Sequence, residues 1–435
     1  MAEAGLAGAL RQFMASLQQQ EFLPLAQFEQ QRSARLQALL QHAQQTSPHF
    51  AQRLSAAGLA IADINTPRTL SRLPVLTRRE LQLHAAQMHA TTLPPGHGAT
   101  AETQTSGSTG EPVKVRRSEL NHLAWMGFTL RDHFWHQRDF SKRLGVIRAN
   151  VPGPVALPDW GQPVSLISAS GPGFALPINQ DVRVQMAWLA QHRPDYLLTY
   201  PNNLAALLDL AAAGHSGMEQ LLAIRSMGET LPTALRARVR DQLNIGVSDC
   251  YSSQELGVLA VECPVSGLYH VMDEGYVLEV INAQGAPCAP GESGRVVVTD
   301  LLNFAMPLLR YEIGDYAVAG PACPCGRPHQ TLQYIVGRER NMLRVGEKRS
   351  WPLVGFHLFR EVAPVLQYQL RQLSAEQIEV RLVCNAPFTA QHETALTEVI
   401  RNALDHPFQL RFALYPDRLP LGPNGKFEEF MCLMD

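Results

Sequence analysis

A chain of 435 residues exceeds what one hydrophobic core usually supports, so two or three domains are expected. A hydrophobic content of 46% with 17% charged residues excludes a disordered chain. A net charge of −2 gives no electrostatic reason to expect nucleic acid or an anionic membrane as partner, and seven cysteines do not make a disulfide framework at this length.

In chain order, the opening stretch MAEAGLAGALRQFMASLQQQEF has no charged region ahead of an apolar run, so a secretory leader is not expected. No apolar stretch has the length needed to cross a bilayer, and a cytoplasmic location is the expectation. Residues 26–44 place Phe28, Leu36, Leu39, Leu40 and Ala43 at helical spacing. At LPVLTRREL, Thr77 with Glu80 three residues on forms a capping box that starts another helix.

Next comes TSGSTGEPVKV, residues 105–115. Small residues let backbone amides approach an anion closely, and the hydroxyls add donors for phosphate oxygens. The stretch does not match the Walker A spacing, and the same composition also makes ordinary solvated turns. Taken alone it leaves both readings open.

From 144 to 302, apolar runs such as LGVI, DYLLTY and GRVVVTDLL alternate with helical stretches such as VQMAWLAQH and TALRARVRDQL. That alternation predicts α/β architecture around a largely buried sheet. Residues 265–335 alternate apolar and polar side chains between turn-rich loops, the pattern of antiparallel β structure. After Gly337 a shorter unit follows: QIEVRLVC as a strand, HETALTEVIRNAL as a helix and LRFALY as a strand. We therefore expect a large α/β domain over 1–338, with an antiparallel β portion, and a small α+β domain over 339–435, which the family resemblance given below implies is mobile.

The stretches SMGETLP, CYSSQELG, PLLRYEIGD, GRERNML and LPLGPNGKF follow TSGSTG in that order. Together with LPVLTRREL, ECPVSGLYHVMDE and AMPLLRYEIGDYAV, they resemble the AMP-forming acyl- and aryl-adenylating superfamily, in its phenylacetate–coenzyme A ligase branch. The likeness runs from about residue 35 to 428. It implies an enzyme that uses ATP to convert a carboxylic acid to an acyl-adenylate, releasing pyrophosphate, and then passes the acyl group to a thiol. The first step brings two anions together, so it calls for charge neutralisation and alignment rather than a protein nucleophile.

On this resemblance Thr105, Ser106, Gly107, Ser108, Thr109 and Gly110 would cradle the β- and γ-phosphates. Glu255 would help to hold Mg²⁺, a hard ion suited to oxygen ligands. Tyr251, followed by Ser252 and Ser253, would face adenine, and Gly228 with Glu229 would line the same pocket. Asp315 and Arg338 would take the ribose hydroxyls. Lys426 would bridge the attacking carboxylate and the α-phosphate as charge develops. Tyr200, Pro201, Met227 and the aromatic stretch around Trp125 and Phe128 are the candidate acyl pocket. It shows no cation aimed at the far end of a substrate, which fits an apolar or aryl acid. Coenzyme A or carrier-protein phosphopantetheine is the implied acceptor, and the branch is compatible with a homodimer.

Three departures from the family pattern stand out. Asn341 occupies the hinge position that usually carries an acid, LRVGEKRSWP is a short and charged loop, and no arginine precedes Pro423. That loop leaves open transfer of the adenylate to an amine or another nucleophile. A nucleotide-binding module without catalysis is the alternative from another class, and loss of Lys426, Glu255 or Asp315 would have favoured it. All three are present. Finally, Cys263 and His270 (C-x6-H) with Cys323 and Cys325 (C-x-C) supply four ligands suited to a structural zinc ion, against the alternative of ordinary buried thiols and a strand histidine.

Overall fold

In the computed structural model all residues are described except 1–2, 105–112, 339–340, 347, 351, 353–355, 421–426 and 435. The chain divides into two units, Met1–Val336 and Gly337–Asp435. The first opens with helices α1 (Glu3–Gln20), α2 (Leu25–Thr46), α3 (Pro48–Ala56) and α4 (Arg78–Met88). On α2, Phe28, Leu36, Leu39, Leu40 and Ala43 are all buried, as their helical spacing predicts. At α4, the Glu80 amide donates to Thr77 Oγ1 at 3.2 Å and the Thr77 amide donates to Glu80 Oε2 at 2.9 Å, completing the capping box.

A hairpin of β1 (Thr100–Gln104) and β2 (Lys114–Ser118) leads into the buried helix α5 (Glu119–Trp135). The large sheet then begins. Its strands are β3 (Leu144–Arg148), β4 (Val155–Leu157), β5 (Gly173–Pro177), β6 (Tyr196–Thr199), β7 (Ala223–Met227) and β8 (Gly246–Ser253). Helices α6 (Val182–His192), α7 (Pro201–Ala212) and α8 (Thr233–Leu243) provide the crossovers. β5, β3, β6, β7 and β8 are mutually parallel neighbours in that order, and the four residues of β6 are all buried. Strands covered on both faces read as continuous apolar runs for this reason.

The chain direction reverses after β8. Strands β9 (Gly257–Glu262), β10 (Tyr269–Val271), β11 (Tyr276–Ile281), β12 (Ser293–Asp300), β13 (Tyr311–Ala319) and β14 (Thr331–Arg338) extend the same sheet to twelve strands. β8 with β9, β9 with β10, β10 with β14, β11 with β12 and β12 with β13 all pair antiparallel. One sheet therefore carries a parallel half and an antiparallel half, joined at β8–β9.

The second unit contains a hairpin of β15 (Leu343–Val345) and β16 (Lys348–Ser350), then helix α9 (Phe356–Val362). β17 (Val365–Gln372), β18 (Gln377–Cys384), helix α10 (Ala390–Leu404), β19 (Gln409–Tyr415) and β20 (Phe430–Cys432) follow. Its four strands pair in the order β19-β18-β17-β20, with Phe359, Ile378, Val380, Ile400 and Phe408 fully buried in one core. The QIEVRLVC, HETALTEVIRNAL and LRFALY readings correspond to β18, α10 and β19. Among the described residues, no helix is long and apolar enough to cross a membrane.

Candidate active site

The carboxyl ends of three adjacent parallel strands bring several of the sequence-selected residues together. β6 leads into Tyr200 and Pro201, β7 ends at Met227 before Gly228, and β8 carries Cys250, Tyr251, Ser252 and Ser253. The register places Thr199 beside Ser226 and Met227 beside Cys250, so these turns lie side by side. Open α/β sheets bind ligands at this edge, where side chains leave the sheet without crossing a helix.

Each turn is fixed locally. Gly228 has φ +78°, a left-handed conformation that only glycine adopts without cost, and it turns the chain out of β7. The Glu229 carboxylate accepts from the Asn202 amide at 3.1 Å and from Asn202 Nδ2 at 3.0 Å, so it caps the start of α7 and ties the β6 and β7 exits together. Tyr200 is buried and its hydroxyl accepts from the Ala149 amide at 3.2 Å. Pro201 is the first helical residue of α7, where its missing N–H is no loss. Ser253 Oγ accepts from the Leu256 amide at 3.2 Å, which shapes the turn carrying Glu255.

From the antiparallel half, Asp315 on β13 reaches this edge. Tyr251 donates its hydroxyl to Asp315 Oδ2 at 2.8 Å with both side chains buried. Glu255, also buried, faces Arg78 at 3.5 Å. Burial pushes the Tyr311 phenol upward, with Glu255 beside it. Arg78 was not selected from the sequence, although its stretch was: it follows the Thr77 cap, and the helix start aims it at Glu255. Trp125 is partly buried on α5 and stacks against His122, whereas Phe128 is fully buried in the core. Arg310, inside PLLRYEIGD, turns away to Glu279 at 2.9 Å and donates to the Ser71 carbonyl, so it serves the scaffold.

Arg338 ends β14 and belongs to the second unit, as does Asn341. Within the LRVGEKRSWP loop, Leu343–Val345 pairs antiparallel with Lys348–Ser350 as β15 and β16, and Gly346 has φ +58°. Thr105, Ser106, Gly107, Ser108, Thr109 and Gly110 lie outside the described residues, and so does Lys426.

In the antiparallel half, the Cys263–Leu268 turn joins β9 to β10, and the loop between β13 and β14 carries Cys323 and Cys325. The four potential ligand atoms of Cys263, His270, Cys323 and Cys325 all lie within 4.8 Å of one another. Cys323 Sγ is 3.8 Å from Cys263 Sγ, and His270 Nε2 is 3.2 Å from Cys325 Sγ. Zinc–sulfur bonds of about 2.3 Å at a tetrahedral angle put two sulfurs about 3.8 Å apart, so the donor set fits that ion. All seven cysteines are unbridged. Burial pushes the His270 imidazole down to about 3, with His329 beside it, so it stays neutral as a ligand must. Against burial, hydrogen bonding to the Val265 and Ser266 backbone lowers the Cys263 thiol.

No family model matches the chain. It is 24% identical over 388 residues to the phenylacetate–coenzyme A ligase of Thermus thermophilus, covering 85% of this chain and 84% of that one. The Escherichia coli enzyme of the same name is 24% identical over 330 residues, 73% of this chain and 72% of its own. Over most of its length the chain is thus similar to phenylacetate–coenzyme A ligases, which supports the resemblance to the AMP-forming adenylating superfamily read from its motifs. Solved structures agree on the fold. A 2-hydroxyisobutyryl-CoA ligase in its post-adenylation state with 2-HIB-AMP superposes with a TM-score of 0.74 at 18% identity, covering 95% of this chain and 91% of that one. An anthranilate CoA ligase with anthranoyl-AMP gives 0.54 at 17% identity, over 78% and 67%.

Proposed function

We propose that this protein activates an aryl or other apolar carboxylic acid with ATP, releases pyrophosphate, and transfers the acyl group from the adenylate to coenzyme A. The observation that carries the proposal is the meeting of Tyr251, Asp315 and Glu255 at the carboxyl edge of the sheet. The homologues and structural neighbours named above are acyl- and aryl-CoA ligases, some solved with acyl-adenylates.

In this reading the Tyr251 ring lies against adenine and Asp315 accepts the ribose hydroxyls, its orientation set by the Tyr251 hydroxyl. Arg338 is the second ribose contact. The 105–110 segment supplies amides and hydroxyls to the β- and γ-phosphates. Glu255 is the residue that would hold Mg²⁺, which neutralises phosphate charge. Lys426 stabilises the charge that develops as the carboxylate attacks the α-phosphorus and pyrophosphate leaves. Tyr200, Pro201, Met227 and Trp125 form the acyl pocket. Cys263, His270, Cys323 and Cys325 would hold zinc in a structural role, since four protein ligands leave no open position. A cytoplasmic location and a 1–338/339–435 division, the smaller part mobile and carrying Lys426, belong to the same reading.

Carboxylate-dependent exchange of pyrophosphate into ATP across a panel of acids tests this function. Exchange is expected with aryl or apolar acids and not with amino acids. Tight ATP binding without exchange for any acid would favour a module that binds nucleotide without catalysis.

A further inference from the structure

The turn between β8 and β9, which carries Glu255, is clamped by side chains that no sequence motif joins. The Leu256 carbonyl accepts from Arg117 Nη2 at 3.0 Å and from the Tyr276 hydroxyl at 2.5 Å. Arg117 comes from β2 and Tyr276 opens β11. One donor would satisfy a buried carbonyl; two from separate elements also fix the Leu256–Gly257 peptide plane, one residue beyond Glu255.

Gly257 makes this approach possible. Its φ is +97°, and a Cβ there would lie 3.2 Å from Arg117 Nη2 and 3.6 Å from the Tyr276 hydroxyl. The origin of Arg117 is itself anchored. Asn303 Nδ2 donates to the Arg116 carbonyl at 3.1 Å, and the Ser118 amide donates to Asn121 Oδ1 at 3.0 Å. Asn121 Nδ2 donates in turn to the buried Asp300 at 3.3 Å. A rigid strand thus delivers a guanidinium to the backbone beside Glu255.

We propose that Arg117 and Tyr276 are positioning residues for the Glu255 carboxylate, with Arg117 tying β2 to the turn that would hold Mg²⁺. This rests on the role given to Glu255 above. Neither side chain needs to touch substrate. Without the clamp the turn relaxes, Glu255 loses its fixed direction, and the step that uses Mg²⁺ and the triphosphate weakens. Thioester formation from a preformed adenylate involves no triphosphate and is spared.

The test compares wild type, Arg117→Met and Tyr276→Phe in pyrophosphate exchange against Mg²⁺ and ATP concentration. In parallel, coenzyme A-dependent consumption of the preformed adenylate of the same acid is followed, with melting temperatures. The Mg²⁺ needed for half-maximal exchange and the KM for ATP should rise roughly 10-fold in Arg117→Met and several-fold in Tyr276→Phe, the scale of one lost hydrogen bond. Adenylate consumption should stay at the wild-type rate. Magnesium curves that superimpose on wild type overturn the inference, and so does an equal fall in both half-reactions alongside melting. If Arg117→Met does not fold, Tyr276→Phe keeps the buried ring and is read by the same two outcomes. Wild-type exchange with superimposable curves removes the clamp alone, whereas no wild-type exchange with any acid removes the adenylation reading and the clamp with it.

Discussion

Two buried carboxylates, Glu274 and Glu255, are held very differently. Glu274 receives Arg131 in a fork at 2.7 and 3.0 Å, and His329 Nε2 lies 3.0 Å from Oε1. Against the cost of burial, Arg131 and His329 hold its carboxyl well below the usual range. Glu255, equally buried, meets Arg78 at 3.5 Å and through one nitrogen. The first arrangement closes the lone pairs of the carboxylate with short bonds and serves the fold. The second is a longer contact, with Tyr311 beside both partners. In the function proposed above, the first carboxylate serves the scaffold and the second serves the strand-end site.

The largest effect should come from opening the closed pair. Glu274→Gln leaves Arg131 buried without its counter-charge, and breaking such a pair typically costs about 3–5 kcal/mol. Chemical denaturation should show that loss, with pyrophosphate exchange per folded molecule unchanged. Unchanged stability would mean that the fork is not structural. The reverse pattern is expected at the strand-end site. Glu255→Gln and Lys426→Ala should each lower exchange by about 10²–10³-fold, as when a transition-state donor or charge is removed, while melting stays near wild type. Normal pyrophosphate exchange by Lys426→Ala would take the lysine out of the mechanism.

The Cys/His corner tests whether closure extends beyond carboxylates. Protein purified without added metal should contain about one zinc per chain, as four ligands in a tetrahedral set require. Removing it should lower the melting temperature and leave exchange by the folded fraction intact. A zinc content near zero would leave His270 and the three thiols as ordinary buried residues. Trp135 packs edge-on to His270 with ring centroids 5.5 Å apart, and Arg327 lies 4.2 Å from the Trp135 ring, so loosening should spread toward α5.

Legibility in the sequence followed the physical range of each contact. The α2 stripe and the Thr77–Glu80 box were readable because their partners lie within a turn or two of helix. Tyr200, Gly228 and Tyr251 were readable because each sits in a contiguous stretch at a strand end, and sheet pairing lines those stretches up. The strands β17 and β20 were missed because the register that pairs Leu370 with Phe430 spans a helix and two other strands. The Arg117–Leu256 bond was invisible for a deeper reason. Its acceptor is a backbone carbonyl 139 residues away, and a carbonyl leaves no trace in residue type. Arg78 stood in a recognised stretch, yet only the folded helix start shows that it faces Glu255.

The smallest expected effect comes from a second closed network and concerns pH. Asp132 is bound by Arg225 at 2.6 Å, by Arg138 at 3.0 Å and by His136 at 3.1 Å. Beside it, burial followed by the charges of Arg138 and Arg225 pushes the His133 imidazole down to about 3. Its ordinary value is about 6.5, so between the two the unfolded chain takes up a proton that the folded chain refuses. Stability from this group is therefore complete above that range and falls as pH drops toward 3. Near pH 5.5, one unit below the ordinary value, the loss is about 1.4 kcal/mol. Asp132 shifts in the opposite sense of charge, held low against burial by Arg138 and Arg225, and it adds acid sensitivity only below about 3.8. His133→Asn keeps an acceptor for Arg138, which lies 3.3 Å from Nδ1, and cannot titrate. Urea unfolding at pH 7 and about pH 5.5 should then show a smaller loss on acidification in the variant by about 1.3 kcal/mol, whatever offset the lost ring packing adds at both. Equal pH dependence in the two proteins would mean that His133 is protonated in the folded state, and that the network around Asp132 is less closed than its distances imply.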